Sequence, residues 1–154
     1  MEVILDLAIH IYPKDEKTNI CVPFSLKKNY STLEIISSYE PKGCEDRERA
    51  KEMILRGLEK YSFKEDPYRS WESYLPRVVS LITFSVDHKG QYLGCCHRQD
   101  NEQRHIISGD FSSPGFFRRA PEAGDWRVML NVHALVSRDV CFRFKIAAHN
   151  EAAS

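Results

Sequence analysis

Apolar and polar side chains alternate from the start of the chain: Val3, Leu5, Leu7, Ile9 and Ile11 share one side of an extended backbone, Asp6 and His10 the other. A period of two predicts a half-buried strand over residues 2–12. A polar turn over residues 13–17 follows. A second strand is expected near residues 19–26, where Pro23 marks a sheet edge or a bulge. A third, over residues 31–39, sets Leu33, Ile35 and Tyr39 on one side, and Pro41, Lys42 and Gly43 stop it.

Then the period lengthens. Ala50, Met53, Ile54, Leu58 and Tyr61 recur at three- and four-residue steps, which predicts an amphipathic helix over residues 45–61. Glu45 and Asp46 suit its positive N-terminal end. Glu45–Arg49 and Glu52–Arg56 are spaced for ion pairs worth ~0.3–0.5 kcal/mol each. Asp66-Pro67 reads as an N-cap with proline at the first helical position, opening a short helix to about Tyr74 that Pro76 ends.

From residue 78 the chain returns to strands, at about 78–87, 92–97, 104–108, 126–136 and 140–147. His88-Lys89-Gly90 and residues 137–139 read as hairpin turns. Residues 109–124, with Ser113-Pro114-Gly115, form a longer connection. Strands with one apolar face cover it with a second sheet. The expected fold is therefore mostly β: an antiparallel, jelly-roll-like sandwich of seven or eight strands. It forms one domain over residues 1–148, with a helical insertion at 44–75 and a frayed tail at 149–154.

A chain of 154 residues with 42% hydrophobic side chains is large enough for a proper core. Its 22 basic and 22 acidic side chains cancel, so the basic footprint of a nucleic-acid binder is missing. The N-terminal segment carries acid where a signal peptide carries Lys or Arg. No apolar run approaches the ~20 residues that span a bilayer. Five cysteines, two of them adjacent, do not make a disulfide framework. Reduced thiols, a cytoplasmic location and no nucleic-acid or membrane partner are the expectations.

Candidate chemistry concentrates between Cys95 and His105. A metal reading takes Cys96, His97 and His105 as ligands with His133 as the fourth, but the paired spacing usual for structural zinc is missing. Neighbours on a strand also face opposite ways, which separates Cys95 from Cys96. A thiol-nucleophile reading pairs either cysteine with the same histidines, without a recognisable nucleophile motif. Asp87 alone is too few carboxylates for calcium. Arg118 and Arg119 with Arg127 form either a small anion site or solvated surface. Trp126, released by Gly124-Asp125, either closes the mouth of the sandwich or stacks on a sugar. Tyr92, Arg98, His105 and Trp126 are the candidate ligand-binding residues; no catalytic residue and no cofactor is assigned.

Several segments together resemble a known module: 81–87 (LITFSVD), the turn through Gly90, 94–98 (GCCHR), Ile106-Ile107-Ser108, 113–116 (SPGF) and 123–128 (AGDWRV). They are similar to the β-sandwich module ahead of the catalytic domain in PHP-type (CehA/McbA-like) metal-dependent phosphoesterases, and to small bacterial and archaeal proteins carrying it alone. The resemblance covers about residues 78–146, with the Tyr39-Glu40-Pro41-Lys42 strand end and the charged helix after it. In that family an H-x-H-T and S-D-G metal-binding segment follows the last strand. Here only His149 follows, so the resemblance implies an accessory sandwich without the metal centre. The expected function is non-enzymatic binding or assembly with a ligand, a second copy covering an edge strand, or a partner such as a PHP-type hydrolase. The rival is a small metal- or thiol-dependent hydrolase using Cys96, His97, His105 and His133.

Overall fold

Alternation produces eight strands, and burying their apolar faces against one another produces two sheets. The computed structural model describes residues 1–60, 70–96 and 100–150. Its strands are β1 (Glu2–Ile11), β2 (Asn19–Leu26), β3 (Thr32–Glu40), β4 (Leu81–His88), β5 (Gln91–Cys96), β6 (Glu102–Ser108), β7 (Gly124–Ala134) and β8 (Val140–His149). Helix α1 (Arg47–Lys60) and a 3-10 helix (Trp71–Arg77) lie between β3 and β4. The first sheet runs β1-β8-β3-β6 and the second β2-β7-β4-β5. Every pairing is antiparallel. This is the two-sheet order of a jelly roll; the sandwich itself is what the alternation predicts.

Inward residues of both sheets interdigitate. Trp126, Phe84, Phe142, Phe144, Leu130 and Ile146 are among the fully buried side chains. Phe84 of the second sheet meets Phe144 of the first edge-on, ring centres 5.6 Å apart. In register, Leu7, Ile9 and Ile11 oppose Phe144, Phe142 and Val140, so one face of β1 feeds the core.

Residues 109–119 form a strap across the β5 and β6 side. The strap carbonyl of Gly115 accepts from the Cys95 N–H (3.1 Å), and the Phe117 N–H donates to the Leu93 carbonyl (2.7 Å). On the other sheet the Ser113 N–H donates to the Ile106 carbonyl (2.9 Å). The strap therefore ties both sheets along one long side, and its Phe116 packs against Phe84 and His105.

Helix α1 follows its 3.6-residue pattern, with Ala50 and Ile54 buried. Asp46 rather than Glu45 caps it, accepting from the Arg49 N–H at 3.1 Å. Arg56 and Glu52 pair at 2.5 Å. Arg47 and Lys51 lie over the Trp71 ring at 5.1 and 5.2 Å, docking the 3-10 helix on α1.

Several expectations are corrected. A bulge between Val3 and Leu5 turns Val3 out of the core face, leaving it 48% exposed. The β4–β5 turn uses only Lys89 and Gly90, both left-handed at φ 50° and 79°, the geometry that matches strand twist in a two-residue hairpin. His88 thus stays in the strand, in phase with Phe84 and Val86, and is buried. Pro76 lies inside the 3-10 helix instead of ending it, because the closing bond from the Val78 N–H to the Leu75 carbonyl (3.1 Å) bypasses it. The helix start at Asp66-Pro67 falls outside the described residues. His149 is the last residue of β8, not tail, and lies 3.2 Å from Glu34. No two cysteines are bridged. Among the described residues, no helix is long and apolar enough to cross a membrane.

Candidate functional site

On the second sheet, every other residue turns away from the core, and most of these positions are polar. From β4 come Thr83, Ser85 and Asp87; from β7 come Asp125, Arg127, Asn131 and His133; from β2 come Cys21, Pro23 and Ser25. Register sets them side by side, with Asp87 opposite Arg127 on β7 and Tyr92 on β5.

Arg127 donates from Nε and from one terminal nitrogen to the same Asp87 oxygen, at 3.0 and 2.6 Å. Two charge-assisted bonds from the half-exposed Arg127 to the largely buried Asp87 carboxylate fix both side chains. Asp87, through those bonds, pushes the Arg127 guanidinium above its usual pKa. Ser25 donates to Asp125 at 3.2 Å. With Pro23 and Lys89 these residues line an open groove of ≈ 560 Å³ at the end of the sheet beside the β4–β5 turn. Its two acids and two cations balance. Tyr92 stands 54% exposed on the same face, its hydroxyl pushed up in pKa by desolvation and then by Cys95 and Asp87.

Further along this face, His133 Nε2 lies 2.8 Å from the Thr83 hydroxyl, which also accepts from Asn131 at 3.4 Å. Burial pushes the neighbouring Cys95 thiol up, a Thr83 hydrogen bond offsetting part of this. A raised thiol carries little thiolate, the form a nucleophile needs.

The residues singled out in the sequence fall in different places. Tyr92 is outside the groove's lining but on the same face, opposite the lining residue Asp87 in the β4–β5 ladder. Trp126 is 2% exposed beneath it, both ring faces covered by Phe24 and His88, and its indole N–H donates to the Glu122 carbonyl at 3.0 Å. His105 is in the core, edge-on to Phe84 and Phe116. Arg98 and His97 lie outside the described residues. Cys96 and His105 do meet, both contacting the Gln103 side-chain oxygen (2.8 Å from His105 Nε2). His133 is on the opposite, outward face of the second sheet. Among the described residues no three His, Cys, Asp or Glu side chains gather as a metal group. Arg119 bonds Gln91 at 2.7 Å, apart from the Arg127–Asp87 pair.

His88 lies directly under the groove, its ring stacked on Trp126 at 4.1 Å. Neither ring nitrogen makes a hydrogen bond of good geometry. Burial lowers its pKa, Arg119 and Lys89 add to the effect, and Glu122 and the Ala123 backbone oppose it. The unfolded chain takes up this proton near the ordinary value of ~6.5, the folded protein only at lower pH. Stability is therefore whole above that value and declines as pH falls through it, by up to about 1.4 kcal/mol per pH unit. Urea midpoints measured from about pH 7.5 to about pH 5.5 should fall more steeply for the natural chain than for His88→Phe. Parallel declines would show that another group carries the loss.

Fold and site together define a jelly-roll sandwich with a charge-balanced open groove on one sheet. Compared with protein-family models, curated proteins and solved structures, the chain matches none.

Proposed function

We propose that this protein is a non-catalytic binding module whose outer β2-β7-β4-β5 face takes a neutral, hydroxyl-rich polymer, a carbohydrate in chemical class. The observation that carries this reading is the groove beside Tyr92. Asp87, Arg127, Asp125 and Lys89 present donors and acceptors with no net charge, which favours neither an anion nor a cation. Sugar hydroxyls satisfy such a set, and an exposed tyrosine face adds stacking. The Asp87–Arg127 pair is already fixed, so little side-chain freedom is lost on binding. The accessory role implied by the sequence resemblance agrees with this reading.

Affinity electrophoresis through gels containing dextran, mannan, xylan or mixed-linkage glucan, with heparin as the anionic contrast, tests it. At least one neutral polymer should retard the protein and heparin should not. Tyr92→Ala should weaken that retardation by about ten-fold, since a lost stacking contact is worth roughly 1–1.5 kcal/mol. No retardation by any neutral polymer, or Tyr92→Ala and Arg127→Ala retarded as strongly as the natural chain, would overturn the reading.

A further inference from the structure

A β-sandwich has four free strand edges, and each is a template for pairing with another chain unless something blocks it. Three are blocked here. The strap bonds along β5 and β6 on one side. Edge strand β2 carries Pro23, which removes a donor in mid-strand. Edge strand β1 is different: it is ten residues long and holds neither proline nor lysine. Its core-facing Leu5, Leu7 and Ile9 are only partly buried, as is Ile20 of β2 beside them. The apolar layer is left open along this side.

The sequence of β1 also matches itself. Past the bulge at Val3, its pairing with β8 is regular over residues 5–11, and the midpoint of that stretch is Ala8. Laying a second copy antiparallel with the two-fold axis at Ala8 opposes Asp6 to His10 of the other copy, twice. The same register sets Leu5 against Ile11 and Leu7 against Ile9 on the core side. At the axis itself two small alanine side chains face each other. Asp6, Ala8 and His10 are all exposed, and His10 holds Asp139 through Nδ1 at 2.9 Å; with Nδ1 donating there, Nε2 donates to the partner's carboxylate when the ring is protonated. Centring the axis at Asp6 instead would set two carboxylates face to face, which is destabilising. Longest regular overlap, and a carboxylate set against an imidazole rather than against another carboxylate, thus select one register.

We infer that β1 pairs with β1 of a second copy of this chain, two-fold at Ala8, joining the two β1-β8-β3-β6 sheets into one continuous sheet. The interface is isologous, as a two-fold contact requires. It is built on the other sheet and uses none of the groove's lining residues, so it stands whether or not that groove binds a polymer.

Sedimentation velocity over a wide concentration series reads the association, with thermal melts confirming that each variant folds. The natural chain should dimerise. Ala8→Lys, which sets two ammonium groups opposite each other on an exposed face, should weaken dimerisation by about ten-fold or more. Asp6→Lys and His10→Glu should each weaken self-association, and an equimolar mixture of the two should restore it. In that mixture one cross-strand pair is Lys–Glu and the other is the natural Asp6–His10 pair. A strict monomer at every concentration overturns the proposal, as does a dimer unaffected by Ala8→Lys. Failure of the mixture to recover overturns the register.

Discussion

Replacing Gly94 with alanine is expected to destabilise the sandwich by about 3–5 kcal/mol, enough to lower its melting temperature by roughly 10 °C. Two causes act together. Gly94 has φ +130°, where a side chain is strained. Its added Cβ would also lie 2.1 Å from the Gly115 carbonyl oxygen and 2.7 Å from Phe116 Cα. Both are backbone, so no rotamer change relieves the clash. The strap cannot back away cheaply either, because the bonds at Cys95 and Phe117 hold it on both sides of the contact. Gly57→Ala is the control of opposite sign. It sits in α1 with nothing within 4 Å of its would-be Cβ, and should stabilise by about 0.5–1 kcal/mol. Urea denaturation of both variants checks the pair. A Gly94→Ala loss under about 1 kcal/mol would show that the strap can shift after all.

Trp126→Ala should cost about 3–5 kcal/mol by the same measurement. The indole is buried against Phe24 and His88, and its N–H is satisfied by the Glu122 carbonyl. Truncation removes that volume, leaves a void under the groove and takes away the aromatic surface that covers His88. Trp126→Phe keeps much of the ring and should lose distinctly less. Equal losses for the two would mean that the indole bond, not the packing, dominates.

Local pattern made most of the fold legible. Leu33, Ile35 and Tyr39 announced β3, Pro23 announced an edge, and the three- and four-residue steps from Ala50 to Leu58 announced α1. The two-sheet architecture then followed, because each strand had one apolar face to cover. Pairing order was not legible, since β1 chooses β8 from the far end of the chain. The bulge at Val3 falls in the apolar run Val3-Ile4-Leu5, where either neighbouring residue could take the core side and the phase is not marked. His88 was read as turn because glycine two residues later signals one. Its phase with Phe84 and Val86 was the contrary signal.

The site was less visible. Asp87 and Arg127 are forty residues apart, and only register makes them neighbours. A hint was present in the polar positions alternating with the core residues of β4 and β7: two strands polar on the same face build a surface. The close approach of the strap at Gly115 and Phe116 to Gly94 left no mark in either local segment, because it depends on where the strap crosses β5.

The placement of β1 beside β8 has a consequence during synthesis on the ribosome. The first strand emerges early, yet its hydrogen-bonding neighbour is the last to be translated. Until then the nascent chain holds an apolar ribbon without its mate, and neighbouring polysomal copies carry the same ribbon. Growth of the chain N-terminus first, at ~5–20 residues per second, makes that interval several seconds long.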